Sequence, residues 1–409
     1  MAPSSIQPAA HRKPGNWFVR HLGRLTSSGR LIPEVDGLRF FAIAGVLVYH
    51  GWIVVSTRNG AANAAAQQDA MDRLLALFAN CGHYGVQLFF VISGYILSLP
   101  FVEAHRQSRP SPGLRAYFLR RFTRLEPPYV VNLLLSAVIV AAAFNLGLRT
   151  KGADFSRLLP HLLASMVYVH GFLYHDLSMV NGVAWSLEVE VQFYVLMPLL
   201  AWILHKGISD RLRPAVLVGV ILVYGLLLDR APQDQWYLLY SILGYMNYFL
   251  AGILWAELCA GPAAGPGRHA ALWDAAALGA VAVFALPSSW IPSEAHLPLV
   301  FATFCAAGLR GRTLPAVLRL KPVWLLGGMC YSIYLYHLWV LIIAGQLMRP
   351  LYLHSLPFWA NFLIQFPILA AGALLVSAVL YVAIERPCMD KTWPSRLRRL
   401  FTPERPPVA

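Results

Sequence analysis

Apolar runs suited to crossing a bilayer recur ten times along this sequence, near residues 37–55, 79–101, 127–147, 184–204, 214–229, 236–256, 271–287, 297–310, 323–347 and 358–383. A helix needs about 20 such residues to cross the hydrocarbon core. An eleventh stretch, near 158–174, contains Pro160, His161 and His170. The chain is 58% hydrophobic and only 13% charged. An ordinary soluble domain is roughly 25% charged, so a soluble protein this apolar could not cover its surface. The expected fold is an all-α polytopic membrane protein of about ten transmembrane helices.

The net charge of +14 could point to nucleic acid. The basic residues, however, sit in short loops between apolar runs, where they act as topogenic signals, so nucleic acid is not an expected partner. With ten spans and a cytoplasmic N-terminus, 26 of the 33 Lys and Arg fall inside and 7 outside. Letting 158–174 cross would largely erase that bias. Residues 148–183 therefore read as an outer hairpin or re-entrant piece, and both termini as cytoplasmic. The organisation is a basic tail over 1–32, a membrane domain over 33–388 and a second tail over 389–409. The first thirty residues lack the short apolar core of a cleaved signal peptide. Asn16 to Leu25 interleaves Trp17, Phe18, Leu22 and Leu25 with Arg20 and Arg24, which reads either as a short interfacial helix or as a disordered tail. The five cysteines are single and scattered, so neither a metal site nor a disulfide framework is expected.

Ionisable groups inside spans are costly and mark function. The first span, PEVDGLRFFAIAGVLVYH, carries Arg39 at its inner edge and His50 in its outer third. Eleven residues at ~100° each put the two on one face within about 20°, roughly 16 Å apart along the axis. His50 reads as a base or as a satisfied core histidine. The fourth span opens VAWSLEVEVQFY, with Glu188 and Glu190 about 200° apart, so only one can face a given pocket. Either carboxylate beside a histidine would suit a general base; an interfacial carboxylate reaching water is the alternative. Arg120, Arg121 and Arg124 in YFLRRFTRLEPPY cluster at a helix start on the inner side. Arginine forks suit phosphates, and topogenic charge is the plainer reading. Ser93-Gly94 permits close approach of a helix or a ligand chain. His337 lies amid tyrosines in CYSIYLYHLWV, and Glu385 with Arg386 reads as a capping ion pair.

In order and spacing, EVDGLRFFAIAGVLVYH, GVQLFFVISGY, RRFTRLEPPY, WSLEVEVQFY and YSIYLYH resemble the acyltransferase 3 family of integral membrane O-acyltransferases, over about residues 33 to 388. The resemblance implies a ten-span fold in a bacterial plasma membrane. It also implies an acyl-CoA donor, usually acetyl-CoA, on the cytoplasmic side, no metal, and a glycan or other hydroxyl acceptor, mostly extracytoplasmic. The family's arginine and histidine eleven residues apart fall on Arg39 and His50. Its donor-side arginines fall on Arg121 and Arg124, with Arg120 beside them. Its tryptophan-serine-leucine-x-x-glutamate motif falls on Trp185, Ser186 and Glu190, while Glu188 occupies a variable position. Gln87 stands where many members have an acidic residue, and Cys330 replaces a common serine. No esterase-like domain is expected after the last span, which leaves any acceptor to the membrane portion.

The expected chemistry has His50 as the base, with Glu190 orienting it or holding the acceptor. Arg121 and Arg124 grip CoA phosphates, Arg39 lies along the donor channel, and His337 is the reserve candidate for the base. Direct transfer and a transient acyl-enzyme are both open. A transporter or flippase of a lipid-linked glycan is the rival reading, against which the spans lack paired broken helices in matching halves. A membrane sensor without chemistry is a weaker third.

Overall fold

The computed structural model describes residues 17–25, 31–58, 69–147, 155–232, 234–260, 269–285, 293–390 and 393. Most of the two expected tails, 1–32 and 389–409, lies outside the described residues. Among the described residues every regular element is helical. Six segments are long and apolar enough to cross a membrane: Pro33–Thr57, Ala70–Arg106, Leu114–Asn145, Gly182–Gly207, Cys330–Leu351 and Phe358–Cys388. The other four expected spans are helical but shorter or less apolar, so length and composition alone do not establish a count of ten.

The first elements are α1 (Trp17–Leu22), α2 (Pro33–Arg58), α3 (Ala70–Cys81), α4 (Gly85–Arg106) and α5 (Leu114–Asn145). Helix α2 starts with proline at its first position and Glu34 and Asp36 in its first turn, where the helix dipole favours negative charge. Asp69 caps α3 by accepting from the Met71 amide. The 158–174 stretch forms two short helices, α6 (Leu158–Met166) and α7 (His170–Tyr174). At 1.5 Å per residue neither can cross a ~30 Å core, so this piece is a non-spanning hairpin.

The chain continues through α8 (Trp185–Gly207), α9 (Arg213–Arg230), α10 (Met246–Cys259), α11 (Ala270–Phe284), α12 (Ser293–Arg310), α13 (Thr313–Leu318), α14 (Lys321–Gly328), α15 (Cys330–Met348) and α16 (Phe358–Leu380). A π-turn over Tyr381–Glu385 ends α16. Two expected spans are interrupted. In 236–256 a single helical turn over Trp236–Leu239 is broken off and the long helix begins only at Met246, because Gln192 Oε1 and the Ser241 hydroxyl accept from the amides of Ile242 and Leu243. Such irregular backbone is tolerated at membrane depth when protein satisfies it. In 323–347 the break falls at Met329, after Gly327-Gly328.

Helix α10 is the axis of the bundle, with every residue from Asn247 to Glu257 buried. A helix apolar all round belongs in a core. It packs closely on α4, where Gly94 and Gly252 face each other. A Cβ at Gly94 would strike the Phe249 carbonyl, and one at Gly252 would strike the Val91 carbonyl. The outer surface is apolar instead, with Leu74, Val138, Leu199, Val223, Leu278 and Leu375 exposed, as lipid contact requires.

At one end of the bundle a buried ionic cluster ties three helices and the loop after α8 together. Arg213, 1% exposed, donates to both oxygens of Glu257 at 3.1 and 3.2 Å and to Asp210 at 2.7 Å. His105 joins Asp210 at 2.8 Å, and this bond, with the Arg213 guanidinium, holds the Asp210 carboxyl below its usual range. At this same end Arg386 donates to the Arg20 carbonyl and Trp393 to the Thr123 carbonyl. Helix α1 and the segment beyond the last span therefore meet on one side of the bundle.

Candidate active site

Helix α2 carries the two ends of the site on one face. At its N-terminal end Asp36, 1% exposed, accepts from Arg39 at 2.5 Å and from Arg24 at 2.9 Å. Gly327 lets α14 press against the Asp36 carbonyl, a contact with no room for a side chain. Arg121 stacks its guanidinium 4.0 Å above the Tyr117 ring, and Arg124 is half-buried while Arg120 is exposed. The arginine run thus divides into two inward-facing side chains and one on the surface. Glu385 is not paired with Arg386 as a cap. Its carboxylate accepts from the Ser332 amide and hydroxyl at 3.0 and 2.5 Å, because the π-turn rotates it toward α15 and sends Arg386 to the Arg20 carbonyl.

The middle of the site is built on α8. The ~200° separation of its two glutamates is realised as two different partners. Glu188 accepts from the Gly171 amide of α7 at 2.9 Å. Glu190 accepts from the Ser93 hydroxyl of α4 at 2.6 Å and lies within electrostatic reach of both Arg39 and Arg121. Gly94, locked on α10, fixes the turn of α4 that presents Ser93. Trp185 packs between Phe90 and Tyr245. Ser186 Oγ sits 2.6 Å from the Tyr334 hydroxyl, which donates to the Val183 carbonyl at 3.0 Å. The tryptophan and serine therefore tie α8 to α15, and Glu190 is left facing the interior.

At the far end His50 meets a second histidine. His337 Nδ1 faces the carbonyls of Tyr334 and Ile333 at 2.8 and 3.1 Å. Carbonyls only accept, so this nitrogen carries the proton and Nε2 presents a lone pair. His50 Nδ1 lies 3.1 Å from that lone pair and 3.0 Å from the Val46 carbonyl. Both neighbours are acceptors, so His50 is protonated at Nδ1. Its Nε2 is then the basic atom, and among the described residues nothing bonds to it. Glu190, expected to orient His50 or to hold the acceptor, engages Ser93, and the ring against His50 is that of His337.

Outside the spans, His161 Nδ1 and His170 Nε2 lie 2.7 Å apart, with Tyr174 stacked on His161. Burial, and then the charge of His161, pushes the His170 pKa down to about 4, so His170 is neutral at physiological pH.

These elements give one polar column. It runs from the arginines through Glu190 and Ser93 to the His50–His337 pair. The acyltransferase 3 family model, described as an acyltransferase domain, matches residues 32–382. The chain belongs to the acyltransferase 3 family. Among curated proteins this acyltransferase is 26% identical over 210 residues to the peptidoglycan O-acetyltransferase OatA of Listeria monocytogenes, covering 49% of this chain and 28% of that one. It is 26% identical over 208 residues to the putative peptidoglycan O-acetyltransferase YrhL of Bacillus subtilis, covering 48% and 28%. It is 28% identical over 211 residues to the O-acetyltransferase OatA of Staphylococcus aureus, covering 49% and 29%. The matched part is less than a third of each relative's length. No solved structure matches the acyltransferase.

Sequence reasoning did not pair His50 with His337, and it left Arg24 and Asp36 out of the site. The available signal for the pair was two histidines inside different spans. For Asp36 it was an acid within one turn of Arg39.

Proposed function

We propose that the protein is a membrane O-acyltransferase that moves an acyl group, acetyl in the first instance, from acyl-CoA to a hydroxyl of an extracytoplasmic or lipid-linked glycan. The donor enters from the arginine-rich side, read as cytoplasmic from the bias of the loop charges, and the family supports a bacterial plasma membrane as the setting. The observation that carries this reading is the His50–His337 pair, which leaves an unprotonated ring nitrogen at the end of the column remote from the arginines.

His50 Nε2 takes the proton of the acceptor hydroxyl as that oxygen attacks the thioester carbonyl. The imidazolium so formed donates from Nδ1 to His337 Nε2 and the Val46 carbonyl, which stabilises its charge. The carbon–sulfur bond then breaks, and the CoA thiolate leaves and is protonated by the proton held on His50. Glu190 and Ser93 hold the acceptor or the arm of the donor near the path. Arg121 and Arg124 bind the donor phosphates, and Arg39 lines the channel. The roughly 16 Å between Arg39 and His50 along α2 matches the reach of the pantetheine arm, about 15–20 Å at ordinary bond lengths. Direct transfer therefore needs no acyl-enzyme. The acetyltransferase names of the matched relatives support acetyl and a cell-wall glycan as first choices.

The test is purified protein in liposomes supplied with radiolabelled acetyl-CoA on the arginine side and glycan fragments, peptidoglycan included, on the other. Label is expected as an alkali-labile ester on the glycan, with stoichiometric release of CoA. Movement of a lipid-linked glycan across the bilayer with no release of CoA would show a transporter instead.

A further inference from the structure

The arginine-rich mouth gathers several guanidinium groups, and two of them, Arg24 and Arg386, come from outside the matched family region. Arg24 precedes the first span and the first matched residue, 32. It reaches back to Asp36, which it shares with Arg39. Arg124 and Arg386 converge with it, and all three guanidinium groups act electrostatically on the fully buried Tyr381. Arg24 and Arg124 act likewise on Glu385. Among the described residues, four guanidinium groups thus gather about Asp36 and Glu385, and Glu385 is already engaged by Ser332.

The gathered charge is accompanied by unmet hydrogen bonds. Among the described residues, the Nε atoms of Arg24, Arg124 and Arg386 are all buried without a hydrogen-bond partner. A buried polar atom left unpaired costs about 1–3 kcal/mol, more when charged, and three at one place mark a missing acceptor. Burial, and then the charges of Arg124 and Arg39, depress the Arg24 pKa from 12.5 to about 9. An added anion would relieve this crowding.

Helix α1 closes over the same place. It touches α14 and the π-turn, Leu22 packs against the core, and the Arg20 carbonyl takes the Arg386 hydrogen bond. Trp17 and Phe18 remain exposed, as expected for a segment resting on lipid.

We propose that Arg24, with Arg124 and Arg386, forms a phosphate cradle for the acyl-CoA donor, and that α1 straps the N-terminal segment across the donor mouth to deliver it. The cradle takes phosphate oxygens, which guanidinium forks bind bidentately. The inference rests on the donor reading above and extends it to a segment that precedes the membrane domain. A lipid headgroup phosphate has the same chemistry, so the test separates the two sources.

The full-length protein is placed in phosphatidylcholine nanodiscs, and its affinities for CoA and for pantetheine, the same arm without phosphates, are measured. Arg24→Ala is expected to weaken CoA about tenfold or more, the effect of losing one charge-assisted bond, and to leave pantetheine unchanged. Arg24→Lys keeps the charge and the pairing with Asp36, so it guards against misfolding. It should recover part of the CoA affinity and restore none of the fork geometry. Labelling at Leu25→Cys, followed by peptide mass, should slow when CoA is bound.

Wild-type protein that binds no CoA overturns the donor reading itself. Wild-type binding of CoA with an unchanged Arg24→Ala affinity overturns only the role of Arg24. Equal weakening of CoA and pantetheine also overturns it, because the phosphates would then not be what Arg24 holds. Phosphatidylglycerol retained by the wild type, and lost from Arg24→Ala at unchanged CoA affinity, assigns the cradle to lipid.

Discussion

His337 Nε2 lies 3.1 Å from His50 Nδ1, and the carbonyls around both rings set the proton positions so that His50 Nε2 carries the lone pair. This is a histidine oriented by a histidine. The carboxylate that more often does this work stands elsewhere in the column, on Ser93.

His50→Ala is expected to lower acyl transfer at least 10²-fold, the low end for general-base catalysis, with insertion and thermal stability retained. His50→Gln should not restore it, since an amide cannot take the proton. His337→Gln keeps an acceptor for His50 Nδ1–H and should lose less activity than His337→Phe. Steady-state rates of all four variants check the ordering, and equal activity of the two His337 variants would remove the orienting role.

Ser93 and Glu190 form one hydrogen-bonded unit across α4 and α8, so their substitutions should not be additive. Ser93→Ala and Glu190→Gln should each slow transfer, and the double variant should lose clearly less than the product of the two. A double-mutant cycle on kcat/KM gives the coupling. Independent effects would place the two residues in separate roles.

Arg121→Ala and Arg124→Ala should each weaken acyl-CoA binding by about 1.5–3 kcal/mol, the range for a hydrogen bond to a charged group. Arg120 is exposed on the same helix, so its alanine variant should cost less. Equilibrium binding of CoA to the three proteins decides this, and equal losses would mean that general basic charge, rather than the inward pair, holds the donor.

Gly94→Ala puts a methyl group into the Phe249 carbonyl. Overpacking of this kind costs about 1–3 kcal/mol, so the variant should melt earlier in detergent. Ser93 rides on the same turn, and activity should fall before the protein unfolds.

His170, in the hairpin outside the spans, has its pKa pushed down to about 4 by burial and by His161. The unfolded chain binds a proton near pH 6.5, where the folded one does not. Stability should therefore fall as the pH drops from about 6.5 to about 4 and level off below that. Thermal melts across this window should show the decline in the wild type and a smaller one in His170→Phe.

Much of this site follows from helix periodicity. Eleven residues of separation put Arg39 and His50 on one face, and two residues of separation sent Glu188 to Gly171 and Glu190 to Ser93. What the sequence hid is tertiary. His50 and His337 are 287 residues apart, and no local pattern records their contact. The interruption in 236–256 depends on Gln192 reaching the Ile242 amide from another helix, and an apolar run gives no sign of that. Glu385 and Arg386 looked like a cap because they are adjacent, and a π-turn is invisible to a 3.6-residue repeat. Arg24 was passed over because it sits in a basic segment, where charge is usually topogenic.

That π-turn over Tyr381–Glu385 acts as a phase shift written into the last helix. Removing one residue from it would restore the ordinary helical repeat and rotate everything downstream by about 100°. The carboxylate of Glu385 would swing off Ser332, and Arg386 would lose the Arg20 carbonyl. A relative with a one-residue gap here would have to move its acid by one position to rebuild the same mouth. The length of this short stretch is therefore a marker that sorts relatives by how their arginine-rich end is assembled, even where the flanking residues are alike.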